Sequence, residues 1–349
     1  MKKLIPLLSL LLSVCLLTGC MGTPVVYYCD CPTEGASDNS TELPEGALKT
    51  GLAIVANAKD SVSASDMDGE AKYDVTIVAV LVDDNGVIRS CIIDSIGTSV
   101  KFSAAGTITS DLSAQILTKN ELGDSYGMKA YGGAKYEWYE QAAALAQYAV
   151  GKTLSELKNG AVNESGKAAD ADLASTATIY LGGYVTAIEK AVANAKHLGA
   201  RSGDVLKLAS INSIASSAAA ADGKDGTAQL DCDVTAITMN GDVITSCYID
   251  SLQAKVAFDA SGVITSDLSA ALRTKNELGE EYGMKAWAGA KYEWNEQAAS
   301  FAAYVTGKTA AEVAGIAVNE RTAPADADLA ATVTIAIGGF QALIAKAAQ

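Results

Sequence analysis

The chain repeats itself. Thr118-Lys119-Asn120-Glu121-Leu122-Gly123 returns as Thr274-Lys275-Asn276-Glu277-Leu278-Gly279, and Tyr126-Gly127-Met128-Lys129-Ala130 returns as Tyr282-Gly283-Met284-Lys285-Ala286. Ala134-Lys135-Tyr136-Glu137-Trp138 matches Ala290-Lys291-Tyr292-Glu293-Trp294, and Ala169–Ala174 matches Ala325–Ala330. The spacing is constant from Val87, which matches Val243. Two copies of such length are whole domains rather than solenoid units. They are assigned to residues 48–199 and 200–349. A fold proposed for one copy must suit the other, and whatever site it builds is offered twice.

Each copy opens with a hairpin. Val75–Val82 and Val87–Ile93 flank Asp84-Asn85-Gly86, and Val234–Met239 and Val243–Ile249 flank Asn240-Gly241. Asn-Gly between β-branched runs marks a tight turn in which both residues take positive φ. A short strand follows at Ser99–Phe102 or Lys255–Phe258. A helix then starts near Tyr136, with Trp138, Ala142, Leu145 and Ala149 on one face, repeated by Trp294, Ala298, Phe301 and Val305. Gly151 and Gly307 stand as C-terminal caps. A strand is predicted at Thr176–Leu181 or Thr332–Ile337. The last helix carries Tyr184, Ala187, Ile188 and Ala191, or Phe340, Leu343, Ile344 and Ala347. The class is α+β, twice.

The 349 residues are 49% hydrophobic and 19% charged, enough to bury real cores. The formal net charge of −15 repels phosphate backbones and argues against nucleic acid as a partner. Lys2 and Lys3 precede an apolar run, Leu4–Leu17, too short for a membrane span. The run ends Leu17-Thr18-Gly19-Cys20, which resembles the bacterial lipobox, whose thiol is diacylated and becomes the first mature residue. Residues 1–20 are therefore expected to be a lipoprotein signal peptide, and residues 21–47, without periodicity, a tether from a membrane. The implied location is the extracytoplasmic side, at the cell surface or in the periplasm. Cys29, Cys31, Cys91, Cys232 and Cys247 remain, an odd number that makes a poor disulfide framework. A hairpin register pairing residue 232 with 249 disfavours a bond between Cys232 and Cys247. The single histidine, His197, rules out a His-rich metal site and a duplicated His-based mechanism.

Several motifs have plain readings. Gly151-Lys152-Thr153 lacks the earlier glycine of a phosphate loop, Ala146 standing there, and reads as capping. Asp66-Met67-Asp68-Gly69 lacks the later ligands of a calcium loop. Asp170 and Asp172, with Asp326 and Asp328, read as a solvated turn before a strand. The aromatic cluster Tyr126, Tyr131, Tyr136, Trp138 and Tyr139 packs a core or sandwiches a flat ring.

Asp172-Leu173-Ala174-Ser175-Thr176-Ala177-Thr178 resembles the flavin-attachment segment of the FMN-binding domain family. That family includes flavin-carrying subunits of sodium-pumping quinone reductases and related bacterial surface lipoproteins. Its motif is Asp, two residues, Ser or Thr, Gly, Ala, Thr. Asp172, Ser175, Ala177 and Thr178 match it, with Thr176 in place of the glycine. In copy two Asp328 and Thr334 match, while Ala331, Thr332 and Val333 differ. Asp68-Gly69 and Asp225-Gly226, each before a hairpin, also follow the family layout. The resemblance implies FMN held on Thr178 and Thr334 through a phosphoester made by a flavin transferase, with Asp172 and Asp328 positioning and Ser175 nearby. It implies a lipid-anchored electron carrier with a membrane redox partner, rather than a turnover enzyme. The competing expectation is a surface binding or structural module on the same fold with a decayed flavin site. Between Thr176 and Tyr180 the segment reads as a regular strand, with Thr176 and Thr178 on one face, where a β-branched residue restricts the backbone more than glycine does.

Overall fold

The computed structural model describes residues 45–349, which lie in one compact unit. The signal segment, the lipobox with Cys20, and Cys29 and Cys31 fall outside the described residues. Strands β1 (Ala47–Asn57), β2 (Gly69–Val82) and β3 (Ile88–Phe102) come first. Helices α1 (Lys119–Leu122), α2 (Trp138–Ala149), α3 (Leu154–Gly160), α4 (Ala171–Thr176) and α5 (Gly182–Ala193) complete copy one. Strand β4 (Lys196–Arg201) leads into β5 (Val205–Ser213), β6 (Gly226–Asn240) and β7 (Val243–Phe258). Then follow α6 (Lys275–Leu278), α7 (Met284–Ala288), α8 (Trp294–Val305), α9 (Ala310–Ala314), α10 (Ala327–Ala330) and α11 (Gly338–Ala347). The two antiparallel sheets have strand orders β3-β2-β1-β4 and β5-β6-β7. The fold is α+β, with a sheet and a set of helices in each copy.

Alternation along the strands sets the layers. Tyr73, Val75, Ile77, Ala79 and Leu81 of β2 share one core with Leu230, Cys232, Val234 and Ala236 of β6 and with Val256 and Phe258 of β7. The intervening Val78, Val80 and Val82 meet α2 and α5 in a second core. In copy two, Ile237 and Met239 meet α8 and α11 in a third. The order is helices, sheet, sheet, helices. Both faces of each sheet are covered, so β2 and β6 read as near-continuous apolar runs rather than as clean alternation.

The copies pair as an internal two-fold. Phe102 stacks on its own counterpart Phe258, ring centroids 4.1 Å apart and planes within 4°. The Ala64 amide donates to Gly262 O at 2.8 Å, and the matching Ala220 amide donates to Gly106 O at 2.8 Å. Lys190 pairs with Glu277 at 2.7 Å, and the matching Lys346 pairs with Glu121. In an isologous contact, residue i meets j and j meets i, and these pairs obey that rule. The Tyr73 hydroxyl adds a bond to Ala228 O at 2.7 Å, and Thr50 and Ser246 hydroxyls meet at 2.7 Å. The repeated Asp-Gly acquires its reason here. A Cβ on Gly69 would stand 2.4 Å from the Phe102 ring, and one on Gly226 would stand 2.5 Å from Phe258.

Some expectations are corrected. Ser99–Phe102 and Lys255–Phe258 are not separate strands but the ends of β3 and β7, since β2 and β6 begin early, at Gly69 and Gly226, and pair along that whole length. Cys232 faces Leu252, not residue 249, because the turn of copy two is Gly241-Asp242, with Asn240 still paired to Val243, and a bulge between Thr238 and Met239 shifts the ladder by one more residue. Only the glycines of the two turns take positive φ, Gly86 at 77° and Gly241 at 57°, while Asn85 and Asn240 do not. Cys232 lies in the shared core and Cys247 in the helix-side core, so the two thiols occupy opposite faces, and both are free. Strands β1, β4 and β5 lie outside the predicted elements, although β5 is entered from a tight turn at Ser202-Gly203, with Gly203 at φ 92°.

The shared core predicts cooperative behaviour. Phe258→Ala removes a ring from the two-fold axis and should cost about 3–5 kcal/mol. Denaturant unfolding followed by circular dichroism should show one transition at a lower midpoint. Two transitions, with only one displaced, would mean that the copies fold independently.

Candidate functional site

The acceptor segments are not strands. In copy one, the Asp170 carboxylate caps α4 by accepting from the Leu173 amide at 3.0 Å. Asp172 sits in the first turn with its side chain exposed, and the Ser175 hydroxyl donates back to Asp172 O at 2.7 Å. Thr176 ends the helix and the chain then runs free of any sheet. Three of its donors converge on one side chain, while Thr178 O accepts from Lys167 Nζ at 2.7 Å. The Thr178 amide, the Thr178 hydroxyl and the Ile179 amide all donate to Oε1 of Gln141, at 2.8, 3.2 and 3.1 Å. Copy two repeats the clamp, with the Thr334 amide, Thr334 hydroxyl and Ile335 amide on Gln297 Oε1 at 2.8, 3.1 and 3.2 Å. Asp326 caps α10, and Asp328 is exposed in its first turn. The alternation in this segment is that of an extended stretch whose amides meet a side-chain amide instead of a neighbouring strand.

This conformation removes the need for glycine. Among the described non-glycine residues, positive φ occurs only at Asp222 and Thr322, so Thr176 and Thr332 keep ordinary backbone angles. Thr178 and Thr334 are both exposed.

A buried carboxylate fixes the neighbouring loop. Glu137, at the N-terminus of α2, is 1% exposed and accepts from the amides of Met128 and Lys129 at 2.8 and 2.9 Å. Glu293 does the same for Met284 and Lys285 at 2.8 and 3.0 Å. The loop carrying Tyr126 and Met128 is thereby held beside Trp138. Neither Glu137 nor Gln141 was singled out from sequence. The available signal was that both are polar, identical between copies, and set at the head of an apolar helical stripe.

In copy one these parts enclose an open groove of about 460 Å³. Asp74, Thr76 and Ser95 line its sheet side, and Tyr126, Met128, Trp138 and Tyr184 its helix side. Ile179 and Tyr180, which directly follow Thr178, form part of its wall. Trp138 Nε1 donates to the Tyr184 hydroxyl at 3.0 Å, and their rings meet edge-on. The Lys119 ammonium lies 5.1 Å from the Tyr126 ring and 5.2 Å from Trp138. The arrangement offers aromatic faces, one cation and hydroxyls at the rim. A groove of this size is in the range of small-molecule sites, and Thr178 adjoins its wall without lining it.

Copy two departs at that spot. Phe340 stands where Tyr184 is, Ala336 where Tyr180 is, and Gln253 where Gly97 is. The Tyr282 hydroxyl donates to Gln253 Oε1 at 3.2 Å, and Gln253 Nε2 donates to Asp231 at 3.2 Å. Tyr282 packs on the copy-two core, whereas its counterpart Tyr126 is 38% exposed. In copy one Tyr180 lies over Gly166, where an added Cβ would meet the ring at 2.1 Å. Thr322 replaces that glycine in copy two, opposite the small Ala336.

The other motifs are structural. Gly151 and Lys152 form a corner bound to β3, with Gly151 donating to Ile88 O at 2.8 Å and Ile88 donating to Lys152 O at 2.9 Å. Gly151 thus spends its amide on a strand rather than on the helix end, and Thr153 caps α3 with Glu156. Asp68 accepts from the Thr109 hydroxyl at 2.6 Å. Among the described residues, no group of three His, Cys, Asp or Glu side chains is placed to hold a metal ion, and no helix is long and apolar enough to cross a membrane. A larger cavity of about 660 Å³ lies between β7 and α8, bounded by His197, Lys196, Tyr248 and Asn276, and contains neither acceptor threonine. Asp250 borders it, and burial pushes its carboxyl up to about 6, against hydrogen bonds that favour the charged form.

No family model and no solved structure matches the chain. Over 123 residues it is 32% identical to a chlorophenol reductase of Desulfitobacterium hafniense, a stretch covering 32% of this chain and 37% of that protein. The chain thus spans little more than a third of this relative.

Two measurements follow. Gln141→Leu strands the amides of Thr178 and Ile179, at a cost of about 1–3 kcal/mol, and should raise hydrogen exchange at residues 176–181 before the rest of copy one; unchanged exchange there would mean the clamp is idle. Asp250 has a folded pKa above its unfolded one, so its contribution is full below about pH 4 and lost as pH rises through about 6. Asp250→Asn should therefore gain on the wild type by about 3 kcal/mol between those limits, read from denaturant unfolding at each pH. A difference that does not vary with pH would contradict the burial effect.

Proposed function

We propose that the chain is a lipid-tethered, extracytoplasmic flavin-binding protein that carries electrons rather than turning over a substrate. The observation that carries this reading is the exposed Thr178, at the matching position of the family's attachment segment and beside an aromatic groove. A bound flavin would supply one- and two-electron redox chemistry, while the protein would hold and orient it. Trp138, Tyr184 and Tyr126 would pack against a flat ring. Lys119 would offset negative charge from a phosphate or a reduced ring. Gln141 holds the backbone on either side of the Thr178 oxygen and would keep two of its three donors after that hydroxyl is esterified. Asp172 adds negative charge to the first turn of α4, where it favours the helix. Thr334, Asp328 and Gln297 are the corresponding groups of copy two. The partial relative is named as a reductase, which is in keeping with a redox role. Cys20 would supply the membrane anchor, and a flavin transferase and a membrane redox partner complete the scheme.

A second reading draws on Ala331-Thr332-Val333, which departs from the attachment motif in copy two. On that reading the grooves bind a flat ligand without a covalent bond, and the protein is a surface binding module. Co-expression with a flavin transferase separates the two. The purified chain should be yellow and carry the mass of FMN, and Thr178→Ala should remove at least that part held by copy one. Protein that stays colourless and takes up no added FMN would exclude both flavin-bearing forms.

A further inference from the structure

Resting on the flavin reading above, we infer that the two copies are unequal at this site: the copy-one groove takes the flavin, and the copy-two counterpart is closed by its own Gln253 and Tyr282. The comparison is internal to one molecule. Several pieces that frame the groove are kept: Lys119 and Lys275, Met128 and Met284, Trp138 and Trp294, and the Gln141 and Gln297 clamps are identical pairs, whereas Asp233 takes the ladder position of Thr76 and Ser213 that of Asn57. The decisive difference sits at the edge of the groove, beside Asp74 and Ser95. Gly97 is paired across the ladder with Asp74, and its counterpart Gln253 is paired with Asp231. A Gln side chain at this point reaches the tyrosine of the facing loop: the Tyr282 hydroxyl donates to Gln253 at 3.2 Å, and that ring is partly buried against the copy-two core. Where Gly97 stands, nothing holds Tyr126 in this way, and the ring stays at the rim. Copy two has also lost the Tyr180 wall and the Tyr184 hydroxyl that Trp138 bonds. A stacking ligand therefore finds one aromatic face fewer in copy two, no hydroxyl beside Trp294, and a plug in its path.

Gly97 makes the idea testable, because it is not required by the backbone. Its φ is not positive, and an added Cβ would meet only Asp74 Oδ1, at 3.9 Å. Gly97→Gln should fold and should build in copy one the plug seen in copy two. The experiment is equilibrium dialysis of the full chain against FMN, with flavin fluorescence as a second readout. The expected result is one FMN per chain in the wild type, with affinity reduced tenfold or more in Gly97→Gln. Tyr180→Ala, at a position 60% exposed and so harmless to folding, should weaken the same site. Gln253→Gly should leave the copy-one site intact. Two FMN per chain, or one FMN that neither Gly97→Gln nor Tyr180→Ala disturbs, would overturn the asymmetry while the flavin reading stood. No FMN bound by the wild type would instead remove the flavin reading itself.

Discussion

The structure depends on the packing of two sheets through their inner faces about an internal two-fold. Phe102 against Phe258 marks the axis, and the reciprocal Lys190–Glu277 and Lys346–Glu121 pairs close its sides. Burial of apolar area drives this contact, and the ion pairs orient it at modest gain because their side chains are partly exposed. Each sheet is then committed on one face to its sister and on the other to its own helices. The copy-one groove opens where the helix layer ends and the outward strand residues turn polar. On β2 the outward series runs Asp74, Thr76, Val78, Val80, Val82, and the groove begins where the valines stop.

Much of this layout was legible from residues. The repeat, the hairpins, the two long helices and their buried stripes all follow from periodicity and turn chemistry. What was hidden depends on long-range partners. The Thr176–Leu181 stretch has the composition of a strand and lacks a neighbour to pair with, and no local rule reveals that Gln141 takes its amides. The hairpin register turned on two local features, a Gly241-Asp242 turn that keeps Asn240 in the ladder and a bulge between Thr238 and Met239. The identical Thr-Lys-Asn-Glu-Leu-Gly segments recorded an interface as well as a duplication, because Glu121 and Glu277 each reach the other copy. Of the expected site residues, Thr178 and Thr334 stand exposed beside the clamps, while Asp172 and Asp328 lie in helical first turns whose caps are Asp170 and Asp326.

A fused pair also explains how one site can drift while the other persists. The copies support each other through the shared core, so changes on the helix side of copy two leave that support intact. Gln253, Ala336 and Phe340 all lie away from the sheet-to-sheet contact, and Phe340 belongs to the copy-two core, where it meets Trp294 and Phe301. The substitution of Gly166 by Thr322, held at φ 56°, goes with the loss of the tyrosine that covers the glycine in copy one. Strain of this kind is tolerated at an exposed turn because neighbouring hydrogen bonds, here from Thr322 to Asn319 and from Ile337 to Thr322, hold the backbone in place.

The most direct test is a crystal structure of the chain grown with FMN. The account predicts an isoalloxazine ring against Trp138 and Tyr184, its ribityl phosphate directed toward Thr178, and no flavin beside Trp294. Flavin density next to Trp294 and Thr334, or well-ordered side chains filling both grooves with none in either, would contradict it.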